Sequence, residues 1–170
     1  MEDVHRLIID QIPPLRRYAR ALLRDRDMAD DLVQDCLARA MDRLHLWTPG
    51  TNMRAWLFTI LHNQHINAAK RRSRQPDRVG LEVDVEEMRH TPPGQGAALV
   101  ARDIRRALDQ LPENQRQVVL LIGLEEMAYA DAAEVLDIPI GTVMSRLNRG
   151  RQRMREIMEN DETPVLRRVK

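Results

Sequence analysis

Aromatic residues are scarce in this chain, which has one Phe, two Trp and two Tyr among 170 residues. Since 43% of the residues are hydrophobic, any core must be built mainly from aliphatic side chains. The single cysteine, Cys36, excludes an intrachain disulfide framework and a cysteine-rich zinc site. No apolar run reaches the roughly 20 residues that span a bilayer, and the N-terminus lacks the pattern of a secretory signal. These absences predict a cytoplasmic protein without membrane insertion.

The net charge of +1 is also low, but it is an average over unlike segments. Residues 1–75 contain 13 Lys and Arg against 9 Asp and Glu, whereas residues 76–100 contain 2 against 5. Residues 101–170 contain 12 of each. A near-neutral total therefore does not exclude nucleic-acid binding by the basic first segment or by a local basic helix.

Proline and glycine are concentrated in one acidic stretch, which indicates a linker between two units. We predict a first unit over 1–75, a linker over 76–97, a second unit over 98–158 and a polar tail over 159–170. Neither unit has strand-like alternation. The sequence thus predicts an all-α protein, with two small helical bundles joined by a flexible linker.

Caps and helical spacing predict where the helices lie. A short helix should end before Pro13, and a second should start at Pro14 and run to Leu23. Asp27 and Asn52 are expected to cap the next two helices, which should reach about residues 45 and 72. The second unit should contain helices over about 98–110, 112–123, 128–136 and 141–158.

The last two predicted helices have the pattern of a helix-turn-helix, in which a short helix and a tight turn precede a longer basic helix. Five Arg and no acidic residue lie between Gly141 and Arg155. The side chains predicted to face outward are suited to phosphates and guanine edges; they are Thr142, Ser145, Arg146, Arg149 and Arg153. The alternative is an ordinary solvated basic helix.

Two further surfaces are predicted in the first unit. Acidic residues between Ala29 and Asp35 surround an apolar stripe, which fits either simple helix capping or a protein-docking face. In the helix after Asn52, Asn63 and Lys70 share a free face, and the cations at 70–74 suit phosphates. Those cations can instead complement the dipole of their own helix.

Nothing in the sequence indicates an enzyme. No nucleophile–base pair or phosphate-binding loop is present, so we predict no catalytic residue, no cofactor and no small-molecule substrate. His62 and His65 are three residues apart but lack a third ligand, so we predict no metal. We expect both histidines to be exposed to solvent or to face DNA. Cys36 should be a small core residue.

Four motifs in order resemble those of bacterial RNA polymerase sigma factors of the extracytoplasmic-function group. They are ADDLVQD at 29–35, RAWLFTILHN at 54–63, LPENQR at 111–116 and IPIGTVMSRLNRGR at 138–151. The resemblance covers about residues 9–75 and 98–156. It implies that the first unit is a region 2 bundle and the second a region 4 bundle.

The resemblance also implies roles for individual residues. The clamp helices of RNA polymerase core would contact Asp30, Asp31, Leu32, Gln34 and Asp35. The melted −10 promoter element would contact Asn52, Arg54, Asn63, Asn67, Lys70, Arg71 and Arg72. The −35 element would be read in the major groove by Thr142, Ser145, Arg146, Arg149 and Arg153, while Met144 stands where the family usually has Lys or Arg.

The resemblance implies a subunit that gives RNA polymerase its promoter specificity, in stress-type regulation controlled by an anti-sigma factor. Two alternatives remain. One is a sigma-like decoy that titrates an anti-sigma factor without binding DNA. The other is a stand-alone helix-turn-helix regulator, although no dimerisation helix is evident after residue 97 and the first unit would be unexplained.

Overall fold

The computed structural model describes residues 2–74 and 95–161, with side chains for 3–74 and 96–160. These residues form helices and turns without a strand, which confirms the all-α prediction. The predicted linker and tail lie largely outside the described residues. Within the described residues the α-helices are α1 (Glu2–Leu23), α2 (Arg26–Asp42), α3 (Met53–Ser73), α4 (Gln95–Asp109), α5 (Glu113–Val119), α6 (Tyr129–Leu136) and α7 (Ile140–Asp161).

Helix α1 runs through Pro13 and Pro14, so the predicted break before Pro13 is wrong. Two prolines remove two backbone donors, and the carbonyls left without partners belong to the exposed residues Ile9 and Asp10, where water can satisfy them. Burial on both sides of the prolines favours a continuous helix, because Ile8 and Leu15 lie in one core. Tertiary packing therefore overrides the local penalty.

The caps of the next two helices explain their starts. The side chain of Asp25, not Asp27, caps α2 by accepting from the Met28 amide at 2.9 Å. Helix α2 ends at Asp42, and a single 3-10 turn over Leu44–Leu46 follows. Asn52 caps α3 as predicted, since its Oδ1 accepts from the Ala55 amide at 3.1 Å.

Helices α1, α2 and α3 form the first bundle, whose core is largely aliphatic. Its few aromatic rings include Tyr18 and Phe58, which are buried edge to face with centroids 5.4 Å apart. Cys36 is a core residue, as predicted, and its Sγ donates to the Leu57 carbonyl at 3.4 Å. Burial raises the pKa of the Cys36 thiol to about 12, so it stays protonated at neutral pH.

Helices α4 to α7 form the second bundle, in which a π-helical turn over Leu120–Leu124 extends α5. Helices α6 and α7 make the predicted helix-turn-helix. The connection consists of residues 137–139, and Asp137 adopts a left-handed conformation (φ 51°) that ends α6. Val143 and Leu147 of α7 are buried as predicted.

The two bundles pack against each other. Helix α6 lies against α3, and the π-helical turn lies against α1. Apolar residues of both bundles join in one continuous core, which includes Leu57 of the first bundle and Leu121 of the second. The region 2-like and region 4-like bundles are therefore in direct contact in this structure.

Candidate nucleic-acid interface

A groove of about 700 Å³ runs between α2 and α3 in the first bundle. One wall presents Asp31 and Asp35, and the other presents Arg71 and Arg72. The Arg72 guanidinium also lies 3.6 Å from Sδ of Met28 at one end of the groove. The groove is a mixed-charge surface, suited to a partner that carries both signs of charge.

The residues predicted to contact the polymerase differ in how exposed their side chains are. Asp31, Gln34 and Asp35 are exposed on α2. Asp30 is half-buried, and its carboxylate accepts from Arg20 at 3.0 Å. Leu32 is only 7% exposed and lies in the core, so the accessible part of this predicted surface is polar.

A second, smaller pocket of about 350 Å³ lies farther along the same two helices. It brings together Asn63, Asn67 and Lys70, three of the residues predicted to bind melted DNA. Helix α2 adds Arg39 and Arg43, which the sequence reasoning missed. Their i, i+4 spacing on α2 was the available signal, but only the packing of α2 on α3 places them beside the amides.

The other predicted −10 residues lie elsewhere. Arg71 and Arg72 line the larger groove, opposite the acidic residues of α2. Asn52 and Arg54 lie at the N-terminal end of α3, and a helical rise of about 1.5 Å per residue puts Asn52 roughly 16 Å from Asn63. The predicted set is therefore divided over three places on the first bundle.

Asn52 and Arg54 contact the second bundle. Nδ2 of Asn52 donates to Oδ2 of Asp131 at 3.0 Å. Nη2 of Arg54 donates to the backbone oxygen of Glu125 at 2.6 Å and to its Oε2 at 2.8 Å. The Arg54 guanidinium also stacks over Phe58, with Cζ 5.5 Å from the ring centroid.

The histidines of α3 are buried, so the expectation of exposed or DNA-facing histidines is wrong. His62 is 8% exposed and His65 is 5% exposed, because the second bundle covers this side of α3. Nε2 of His65 lies 2.5 Å from Oε1 of Glu113 at the start of α5. This bond holds the pKa of the Glu113 carboxyl below its usual value, and burial lowers the pKa of His62.

Helix α7 has a basic, accessible surface. Arg149 and Arg153 are exposed, while Thr142, Ser145 and Arg146 are half-buried. Oγ of Ser145 donates to the Thr142 carbonyl at 3.1 Å, so the hydroxyl has acceptor capacity left for a ligand. All five predicted −35 residues lie on the one helix that follows the turn.

Met144 and Asn148 are among the exposed residues of α7 that were not predicted as contacts. Met144 is 53% exposed, and Asn148 one turn later is exposed as well. Their i, i+4 spacing places them together on a side of the helix that the predicted set left out. They add an apolar contact and an amide, the groups that suit a thymine methyl and an adenine edge.

Within residues 2–74 and 95–161, no cluster of potential ligands could hold a metal ion. In the same residues no helix has the length and apolar character needed to cross a membrane.

Comparison with known proteins links this geometry to a family. Residues 8–62 match the family model described as the Sigma2 domain of PhyR, and residues 101–154 match Sigma-70, region 4. The ECF RNA polymerase sigma factor EcfG of Rhodopseudomonas palustris is 36% identical over 91% of this chain and 84% of its own length. The RNA polymerase sigma factor HrpL of Pseudomonas syringae is 32% identical, over 90% of this chain and 85% of its own.

One solved structure has a similar fold over nearly the whole chain. It is the sigma factor RpoE of Bartonella quintana, determined in complex with the anti-sigma factor NepR. That chain is 31% identical and superposes with a TM-score of 0.81 over 95% of this chain and 100% of its own. The likeness in sequence and fold shows that the chain belongs to the extracytoplasmic-function (ECF) RNA polymerase sigma factors, a non-enzymatic family of transcription initiation.

Proposed function

We propose that this sigma factor binds RNA polymerase core and directs initiation by reading duplex −35 DNA and melted −10 DNA. The first bundle, within residues 1–75, serves the core and the −10 element. The second bundle, within residues 98–158, serves the −35 element. An anti-sigma factor controls the free chain.

The observation that supports this proposal most is the amide-lined pocket between α2 and α3. Asn63 and Asn67 offer donors and acceptors for a base edge, while Arg39, Arg43 and Lys70 surround them with positive charge for the backbone. A base must leave the stack to enter such a pocket, and this costs a few kcal/mol in a duplex but little in a melted strand. The pocket thus favours DNA that is already single-stranded.

Helix α7 supports recognition of a duplex. It follows the helix-turn-helix connection, it is exposed on its basic side, and it is narrow enough for a major groove. Arg149 and Arg153 are the exposed cations on this side, and Thr142 and Ser145 lie near the N-terminal end of the helix. This end is where recognition helices usually contact base edges.

The large groove supports docking to the polymerase. Asp31 and Asp35 stand exposed along one wall, so a partner helix with basic residues can pair with them. The anti-sigma assignment is supported by the Bartonella quintana RpoE, which was solved with NepR bound and which matches nearly the whole of this chain.

Transcription in vitro with purified polymerase core and a randomised promoter library tests the proposal. We expect enrichment of one bipartite promoter by the wild-type chain. Arg146→Ala together with Arg149→Ala should abolish this selection yet leave core binding intact in a pull-down. Arg16→Ala, which removes one exposed cation of α1 outside the helix-turn-helix, is the control. Unchanged promoter choice in the double variant would contradict the assignment of α7.

A second candidate function is a decoy that titrates an anti-sigma factor. It is favoured by the match of residues 8–62 to the Sigma2 domain of PhyR, since a PhyR was solved as an anti-anti-sigma factor with NepR. A decoy needs neither the basic side of α7 nor the amide pocket, and this chain has both. Binding of an anti-sigma factor without any transcription by the polymerase would favour the decoy.

A further inference from the structure

Helix α7 exposes apolar side chains on a surface that is otherwise polar and basic. Ile140 is 49% exposed and Met144 is 53% exposed, and their i, i+4 spacing places them one turn apart on the same side of the helix. Between Gly141 and Arg155 the chain has five arginines and no acidic residue. Isolated exposed apolar residues are common on proteins, so the position of Met144 on the helix decides what it can contact.

The buried residues of α7 fix the side of the helix on which Met144 lies. Val143 and Leu147 are buried in the core, and α7 packs on α5 and α6. Met144 and Asn148 each follow one of these buried residues, so they share one flank of the helix, about 100° around the axis from the buried side. This flank is open to a ligand along at least one helical turn.

The polar residues proposed to contact −35 DNA occupy the rest of the accessible surface. Thr142 and Arg146 each precede a buried residue and therefore lie on the opposite flank. Ser145 and Arg149 lie between the two flanks, on the side that faces away from the bundle. A helix that enters the major groove with this side first brings both flanks close to base edges. Met144 thus lies within the proposed DNA interface.

The chemistry of the Met144 side chain restricts what it can recognise in a major groove. Its thioether has no hydrogen-bond donor and is only a weak acceptor, so it cannot pair with the polar edges of guanine, cytosine or adenine. The C5-methyl group of thymine is the apolar group that distinguishes one base pair from the others in this groove. An unbranched, polarizable side chain adapts well to such a neighbour. Contact with a thymine methyl would remove apolar surface of both partners from water.

Asn148 provides a complementary contact on the same flank. An asparagine amide binds the N6 and N7 edge of adenine through two hydrogen bonds. Four residues of helix rise by about 6 Å, which is close to the length of two base pairs at about 3.4 Å each. Met144 and Asn148 can therefore contact neighbouring base pairs, and both favour pairs of adenine with thymine.

We propose that Met144 determines specificity within the −35 element by contacting the C5-methyl group of a thymine. Ile140, one turn earlier, adds apolar surface beside this contact. The inference rests on the proposed function and adds a base that the polar residues of α7 do not assign. A lysine or arginine, the residues usual at this position in the resembled family, would instead favour guanine.

Replacement of thymine by uracil tests the contact, because uracil lacks only the C5-methyl group and pairs with adenine in the same way. The chain is used bound to polymerase core, on a promoter enriched from the randomised library. Each thymine of the −35 element, on either strand, is replaced in turn, and affinity is measured by competition between DNA fragments. The variant is Met144→Ala. Met41→Ala is the matched control, since Met41 is 47% exposed on α2 and lies outside the helix-turn-helix.

We expect uracil at one position to weaken binding by the wild-type chain about fourfold, the effect of removing one methyl group from an apolar contact. Met144→Ala should bind the thymine fragment at least about fourfold more weakly and lose nothing further with uracil. Its salt dependence should equal that of the wild type, because no phosphate contact is lost. Met41→Ala should behave as the wild type. Equal uracil effects in wild type and Met144→Ala at every thymine, or a −35 element without thymine, would overturn the inference.

A second variant tests the base preference itself. In the library selection, Met144→Lys should lose the preference for thymine and enrich guanine at the same position. Circular dichroism establishes that each variant keeps its helices, which the exposure of Met144 leads us to expect. The same −35 element in the wild type and Met144→Lys contradicts the role of Met144 alone. A wild-type selection that yields no −35 element contradicts the proposed function and the inference with it.

Discussion

Gly150 of α7 lies directly against Val119 of α5, so close that an added Cβ at Gly150 would be 2.7 Å from Cγ2 of Val119. Valine is stiff about χ1 and cannot easily move away. Gly150→Ala should therefore destabilise the protein by about 1–3 kcal/mol, measured by urea unfolding. Gly141→Ala, where nothing lies within 4 Å, should be neutral or stabilising. Equal stability of the two variants would show that α5 and α7 can move apart to accept the added methyl group without a loss of stability.

The acidic residues on the α2 wall of the large groove should decide binding to the polymerase. Asp31→Lys with Asp35→Lys reverses two exposed charges that face the groove, so binding to polymerase core should weaken at least tenfold. Asp10→Lys reverses an exposed charge on α1, outside the groove, and should have little effect. Affinity for core can be measured by fluorescence anisotropy, and equal losses in the two experiments would place the docking surface elsewhere.

The two arginines of α2 should act on DNA through its phosphates. Arg39→Ala with Arg43→Ala should weaken binding of single-stranded DNA for all sequences and lower the salt dependence by about one unit per lost contact. A titration of oligonucleotide binding against salt measures the slope. Arg16→Ala should leave the slope unchanged, and a sequence-selective loss in the double variant would indicate a base contact instead.

Stability should fall on acidification in two stages. Burial keeps the pKa of His62 below 6.5, so below pH 6.5 the unfolded chain takes up this proton first and folding is disfavoured. The bond from His65 keeps the pKa of Glu113 below 4.5, so its contribution is present above pH 4.5 and is lost below it. Urea unfolding over a pH series measures both stages. His62→Gln should remove the first stage only, and an unchanged profile would rule out His62 as its source.

The start of α3 and the buried face of α7 were predictable because they depend on local pattern. The cap at Asn52 and the burial of Val143 and Leu147 follow from residue type and helical spacing. The cap of α2 was misplaced because Asp25 and Asp27 are both good caps, and only the backbone conformation distinguishes them. The continuity of α1 was missed because its tertiary burial outweighs two prolines.

The candidate site was less predictable where two helices or two bundles meet. Asn63, Asn67 and Lys70 share one pocket because their spacing follows the helix. Arg39 and Arg43 join them only through the packing of α2 on α3, which the sequence does not display. The contact of His65 with Glu113 joins residues 48 positions apart, and the binding of Arg54 by Glu125 joins residues 71 positions apart.

Because Asn52 caps α3, a ligand that binds this side chain in place of Asp131 must be a hydrogen-bond acceptor. Oδ1 of Asn52 is occupied by the Ala55 amide, so the side chain can present only its NH₂ group outward. A ligand at this position must therefore offer a lone pair, such as a phosphate oxygen, a purine N7 or a carbonyl of a base. An aspartate here would keep the helix start and repel each of these groups. The two polar atoms of this amide thus have different roles: Oδ1 stabilises the start of the helix, and Nδ2 is a donor of fixed position.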